Sequence, residues 1–306
     1  MLRGIAVRLG RLIAGALVLA VLGCGDDPPD YAPSYSEKPA EGKSIYLFGV
    51  HPLHNPETLF AVYQPLVDYL NARLDGERLE LEASRNYAAF EAKLYARRYA
   101  FALPNPYQTV MSLPRGYRVF GKMGDDDQFR GIILVRRDSP LADITDLRGK
   151  AVSYPAPTAL AATMLPQAFL RQHGLDVTRQ VDNRFVGSQE SSIMNVYLGN
   201  VAAGATWPPP WRKFQMDEPE KAAQMKVKWE TPTLPNNGLV VRDDIPPALV
   251  DKIGRMLFTL HESEEGRMLL ARMPLSRFEA ADDGTYRPVI DFLAWFNANV
   301  RQVDLP

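Results

Sequence analysis

Between Ser44 and Leu103 the sequence alternates between strand-like and helix-like periods, and that alternation restricts its fold more than any other feature. Ser44–Val50 (SIYLFGV) is a largely apolar run of strand length. Asn55 and Pro56 follow as a helix cap and a first-turn proline, and Leu59, Val62, Tyr63, Leu66, Val67 and Leu70 recur at helical spacing. Arg78–Ala83 alternates as a half-buried strand, Tyr87–Ala96 reads as a second helix, and Tyr99–Leu103 as a buried strand. Strand–helix–strand–helix–strand in that order predicts a parallel sheet covered by helices, an α/β fold.

The pattern continues through the chain. Tyr117–Lys122 and Gly131–Arg136 are strand candidates around an acidic loop, Asp125–Asp127. Pro104–Tyr107 reads as a rigid turn, and Thr158–His173 as a helix in which Pro166 makes the N-terminal part a separate turn. Arg184–Trp211 reads as strand, polar turn, helix, turn, strand. Ser188 is the expected N-cap, Glu190 and Ser191 lie in the first turn, Ile193, Met194, Val196, Tyr197 and Leu198 form the apolar face, and Val201–Ala205 is the next strand. A strand that runs into a polar helix N-terminus is a common way to build a ligand site. Further on, Pro208–Ala223 is read as helical, Lys226–Trp229 and Leu239–Arg242 as strands, and the tail as three more helices. Two α/β units follow, the second inserted into the first: 45–133 with 236–306 as one lobe, and 134–235 as the other. A length of 306 residues suits two domains of ordinary size.

The N-terminus carries an address. Met1–Arg11 holds Arg3, Arg8 and Arg11 and no acid, and Leu12–Gly23 is apolar but too short to span a bilayer. Val21-Leu22-Gly23-Cys24 resembles a bacterial lipobox, with the chain's one cysteine in place. That resemblance implies a signal peptide over 1–23, acylation of Cys24 and residence in the cell envelope on a membrane. Residues 24–44 are rich in Pro, Ser and acids and are expected to form a flexible tether.

The chemistry legible in the residues is that of binding. His51-x-x-His54 with Glu57 is a weak metal pattern with no third or fourth ligand nearby in sequence, so no metal or cofactor is expected. Gly187-Ser188-Gln189-Glu190-Ser191 lacks the glycine that a nucleophile elbow needs, and no histidine is placed to partner it, so no enzyme is expected. A formal net charge of −1 argues against a nucleic-acid partner. In contrast, His51, Tyr87, Asn105, Tyr107, Gln189, Glu190, Thr206, Trp207 and Asn236-Asn237 gather at predicted strand ends, where α/β proteins hold ligands.

The chain resembles the periplasmic phosphate/phosphite/phosphonate-type substrate-binding proteins of ABC transporters. The resemblance covers nearly all of 45–300. It lies in Tyr63-x-Pro65-Leu66-x-x-Tyr69-Leu70, Asn86-Tyr87-Ala88-Ala89, Asp138-Ser139-Pro140, Asp146-Leu147-Arg148-Gly149-Lys150, Val186-Gly187-Ser188 and Ala203-Gly204-Ala205-Thr206. It implies a type II periplasmic-binding-protein fold, two α/β lobes joined by two crossing strands with a small ligand between them, and an ABC permease as partner. A sensory or accessory lipoprotein feeding a signalling partner is the alternative on the same fold.

The resemblance also exposes departures. The family's Ser-Thr-Ser anion cradle aligns with Ala159-Leu160-Ala161, its histidine with Gln189 beside the retained acid Glu190, two of its acids with Ala100 and Ala202, and a tyrosine with Phe129. Tyr87 carries over. Each missing donor costs a desolvated phosphonate about 1–3 kcal/mol. The expected cleft is therefore Tyr87, Asn105, Tyr107, Gln189, Glu190, Thr206 and Trp207, suited to a neutral or cationic organic molecule rather than a phosphonate.

Overall fold

The computed structural model describes residues 43–304. The expected signal peptide, Cys24 and the tether up to residue 42 lie outside the described residues. The chain forms two mixed sheets. The first contains β1 (Ser44–Val50), β2 (Glu77–Glu82), β3 (Phe101–Leu103), β4 (Tyr117–Met123), β10 (Gly238–Arg242) and β11 (Phe278–Ala280), in the order β11-β4-β10-β3-β1-β2. The second contains β5 (Arg130–Arg136), β6 (Ala151–Tyr154), β7 (Asp182–Phe185), β8 (Ala203–Thr206) and β9 (Met225–Thr233), in the order β7-β6-β8-β5-β9. In each sheet the strands joined through helices run parallel: β1 with β2 and β3, and β6 with β7 and β8.

The helices are α1 (Pro56–Asn71), α2 (Tyr87–Tyr95), α3 (Pro106–Ser112), α4 (Leu165–Gln172), α5 (Gln189–Tyr197), α6 (Pro208–Asp217), α7 (Pro219–Ala222), α8 (Pro247–Phe258), α9 (Glu264–Arg272) and α10 (Arg287–Asn299). The apolar stripe expected on α1, Leu59 to Leu70, is buried in full. Each such side chain contributes about 1.5–3 kcal/mol, which holds the helix on its sheet.

The chain crosses between the sheets twice, from β4 to β5 and from β9 to β10. The crossings lie side by side: Met123 N–H donates to Asn237 O at 2.8 Å, and Leu234 N–H to Phe129 O at 3.2 Å. Asp126 accepts from Asn236 N–H and from Lys122 Nζ, both at 2.9 Å, and Tyr286 Oη donates to Asn236 O at 2.6 Å. Residue 134, where the second lobe was expected to begin, falls inside β5.

Several local readings change. Pro104–Tyr107 is not a free turn: Asn105 caps α3, and Gln108 completes a capping box with it. Leu160–Met164 forms a single π-type turn before α4, in which the N–H groups of Thr163 and Met164 both reach Ala159 O. Pro166, which brings no N–H, then sits near the start of α4, where none is needed. β5 can pass close to this turn because Gly131 has no side chain. A Cβ there would stand 2.5 Å from Ala161 O and 2.7 Å from the Pro166 ring. The helix expected over 208–223 breaks at Glu218-Pro219 into α6 and α7.

Candidate functional site

The junctions after β1, β3, β6, β7 and β8 all leave the carboxyl ends of parallel strands, and several open directly into helices. Tyr87 is the first residue of α2 and Gln189 the first of α5, each 3% exposed. Gln189 Nε2 donates to Tyr87 Oη at 3.2 Å, and Gln189 Oε1 accepts from Thr206 Oγ1 at 2.8 Å. The amide is thereby oriented, with nitrogen toward the first lobe and oxygen toward its own. Burial pushes the Tyr87 phenol well above its ordinary pKa, so its proton stays available to a partner.

His51 lies across the same space, with its ring edge-on to Tyr87 at 6.1 Å. Its Nδ1 faces Leu103 O at 3.0 Å, and burial lowers its pKa to about 4. The imidazole is therefore neutral, with its proton on Nδ1 and an acceptor lone pair on Nε2. Asn237 Nδ2 faces Met123 Sδ at 3.4 Å, while its Oδ1 is buried with no hydrogen-bond partner among the described residues. Trp207 meets Phe129 edge-on at 5.5 Å. The remaining wall is the apolar run Ala159–Ala162, and the hydroxyl of Thr163 just beyond it is spent on Ala156 O at 2.8 Å. These groups enclose an inner pocket of about 10 Å³, room for about one water.

Four of the seven expected residues, Tyr87, Asn105, Gln189 and Trp207, line this pocket. Asn105 is otherwise engaged: its Oδ1 caps Gln108 N–H at 3.0 Å, and its Nδ2 reaches Thr158 O, in the other lobe, at 3.0 Å. Thr206 is fully buried behind Gln189. Tyr107 lies in the core of the first lobe and lines neither this pocket nor its neighbour. Glu190 is exposed and lines the neighbouring cavity, with Asn55 Nδ2 at 3.5 Å from its Oε2.

That neighbouring cavity is larger, about 180 Å³. It lies between Leu53–Thr58 of the first lobe and, in the second, the start of α5 and one side of α6 from Pro210 to its end at Asp217. Gln189 borders both cavities. His54 and Lys213 were not expected here. Burial, with Lys213 as the next cause, lowers the His54 pKa to about 4. A further link across the lobes joins Thr158 Oγ1 to Glu91 Oε1 at 2.5 Å, where Gln108 Nε2 also donates at 3.0 Å. Burial raises the pKa of Glu91. Nothing in the sequence marks this pair, because its members are far apart in the chain and neither belongs to a motif.

Comparison with known proteins bears on the family and the fold. The family model described as "ABC transporter, phosphonate, periplasmic substrate-binding protein" matches residues 48–286. The phosphonates-binding periplasmic protein of Escherichia coli K12 is 20% identical over 162 residues, 52% of this chain and 48% of that one. A probable ABC transporter phosphite-binding protein of Prochlorococcus marinus MIT 9301 is 21% identical over 128 residues, 39% of this chain and 43% of its own. The chain thus spans about half the length of the curated relatives it matches or less. Among solved structures, a binding-protein component of an ABC phosphonate transporter from Pseudomonas aeruginosa superposes with a TM-score of 0.76 at 17% identity, covering 86% of this chain and 91% of that one. A P. marinus protein in complex with methylphosphonate superposes with a TM-score of 0.74 at 16% identity, covering 83% and 98%. At such identities the likeness carries the fold.

Proposed function

The chain belongs to the periplasmic substrate-binding protein family of phosphonate ABC transporters, and on that premise we propose that it is a lipid-anchored solute-binding protein of the cell envelope. The family is one of binding proteins rather than enzymes. In this reading, the expected division into 45–133 with 236–306 and 134–235 holds with its first boundary moved back to the start of β5 at Arg130, and a small organic molecule is held where the lobes meet and passed to an ABC permease. Cys24 carries the lipid, and the tether lets the lobes reach the permease.

The observation that carries the reading is the bond from Gln189 to Tyr87, which joins the first residues of two helices on opposite lobes within a closed cleft. The ligand is proposed to be neutral or cationic. The Ala159-Leu160-Ala161 wall offers no hydroxyl, and His51, kept neutral by burial, brings no positive charge to a phosphonate. Gln189 is the proposed contact and Glu190 the counter-charge, Tyr87, Asn105, Thr206 and Trp207 are the groups that position Gln189 and close the pocket behind it, and Tyr107 packs further back.

The test is native mass spectrometry of the protein purified from its own host. A small molecule that stays bound under native conditions and is released on denaturation is expected. Protein that carries no such mass, and whose solution scattering does not contract with any amine, amide or phosphonate offered, would refute the reading.

A further inference from the structure

We propose that this chain holds its solute in the larger cavity beside Gln189, displaced from the inner pocket, and that the solute is a small organic monocation, a primary alkylamine or amino alcohol. The proposal rests on the binding-protein reading above and adds to it a position and a charge.

Size is the first consideration. The inner pocket, at about 10 Å³, admits one water-sized group, because Phe129, Trp207 and Ala159–Ala162 fill the space around it. The neighbouring cavity, at about 180 Å³, exceeds the cavity of about 150 Å³ that accepts a benzene ring in other proteins. Both lobes build it: Leu53 and the first turn of α1 on one side, Ile193, Pro210 and Phe214 on the other. An occupant touches both and therefore favours the closed arrangement.

Charge is the second. Lys213 is bonded to Asp217 at 2.8 Å and Lys221 to Glu218 at 2.9 Å, so those pairs neutralise themselves. Glu190 has no cationic partner among the described residues, and its contact with Asn55 is at the long limit of a hydrogen bond. His54 makes no side-chain hydrogen bond to a described residue. Kept neutral by burial, its ring has one donor and one acceptor to give. The cavity thus offers one unmatched carboxylate, a neutral imidazole suited to a hydroxyl, and a buried apolar wall of Leu53, Ile193 and Phe214. An anion would meet the unpaired Glu190 with like charge, since Lys213 is already matched by Asp217; an ammonium on a short carbon chain matches all three features.

The experiment is calorimetric titration of the full chain with n-butylamine, 4-amino-1-butanol and methylphosphonate. The amines are expected to bind and methylphosphonate not to. Glu190→Gln should weaken amine binding at least tenfold, and Thr58→Trp, which fills the cavity from the first turn of α1, should abolish it. Glu190 is exposed, so its variant tests the site even if Thr58→Trp fails to fold. Absence of amine binding, or binding indifferent to Glu190→Gln, overturns the proposal. If Ala161→Met, which fills the inner pocket, abolishes amine binding while Thr58→Trp spares it, the displaced site falls and the binding-protein reading stands.

Discussion

The side-chain amide of Gln189 donates to the hydroxyl of Tyr87 at 3.2 Å, with both residues buried and each at the first position of a helix on a different lobe. Opening the cleft breaks this bond and wets both groups. Tyr87→Phe leaves the Gln189 nitrogen without a partner in the closed form only, at a cost of about 1–3 kcal/mol to that form. Paired spin labels on the two lobes should report a larger open population for the variant. An unchanged distance distribution would mean that the bond does not hold the lobes.

The segment between Cys24 and the first described strand is rich in Pro, Ser and acids and carries no Val, Leu or Ile. Cys24→Ser should therefore move the protein from the membrane fraction to the soluble fraction with its unfolding transition unchanged. Retention in the membrane fraction would remove the lipid anchor from the account.

The hydroxyl-free wall at Ala159-Leu160-Ala161 predicts poor anion binding. Titration with phosphate, phosphite and methylphosphonate should give no micromolar affinity. Micromolar binding of any of them would mean that backbone amides alone satisfy the anion.

His51 gives a pH dependence with a definite sign. Its pKa falls from 6.5 to about 4 in the folded chain, so the fold excludes a proton that the unfolded chain accepts below 6.5. The stability tied to the neutral ring is present above pH 6.5 and is lost as pH falls toward 4, up to about 3 kcal/mol. Denaturant titrations at stepped pH should show this loss, and His51→Gln should reduce it, leaving the part contributed by His54, which is shifted the same way. An equal slope in the variant would assign the loss to other groups.

Lys122 is buried at the crossing and bonded to Asp126 at 2.9 Å and Glu279 at 2.8 Å. Lys122→Ala strands both carboxylates and removes a brace from the segment that Asn236 also holds. A loss of about 2 kcal/mol is expected, since hydrogen bonds to charged groups are worth about 1.5–3 kcal/mol each while the carboxylates keep part of their hydration. A thermal midpoint equal to wild type would show the brace to be idle.

Much of the fold is legible from periodicity. The α1 stripe and the parallel strands around it follow from apolar spacing, because burial on one face is what sets that spacing. Boundaries that depend on chemistry are harder. Asn55-Pro56 reads as a helix start, whereas the same pair at 105–106 reads as a turn. The segment after Pro106 is short and carries Thr109, Val110 and Ser112, so propensity hides a helix that its cap and packing stabilise. β11 spans only Phe278–Ala280, too brief for any alternation to show. For the site, polarity at strand ends points to Tyr87 and Gln189 separately. Their meeting, like the capping duty of Asn105 and the depth of Tyr107, is set by how the two lobes close on each other, and single-sequence patterns do not encode that relation.

Just past the end of α10, Arg301 reaches from the first lobe to Gln167 Oε1 at 2.9 Å and to Pro157 O at 2.5 Å in the second, and burial lowers its pKa. Beside the two backbone crossings, and apart from the contacts of Gln189, Asn105 and Thr158 in the cleft, Arg301 thus adds a side-chain clasp that must unfasten. A pair of lobes on two flexible crossings would swing freely, like a door on its hinges. With a latch of this kind the motion becomes closer to a switch with a threshold: small excursions meet the guanidinium as a stop, and full opening begins only after it lets go. Release of a solute from a cleft so latched would wait on an event remote from the solute itself.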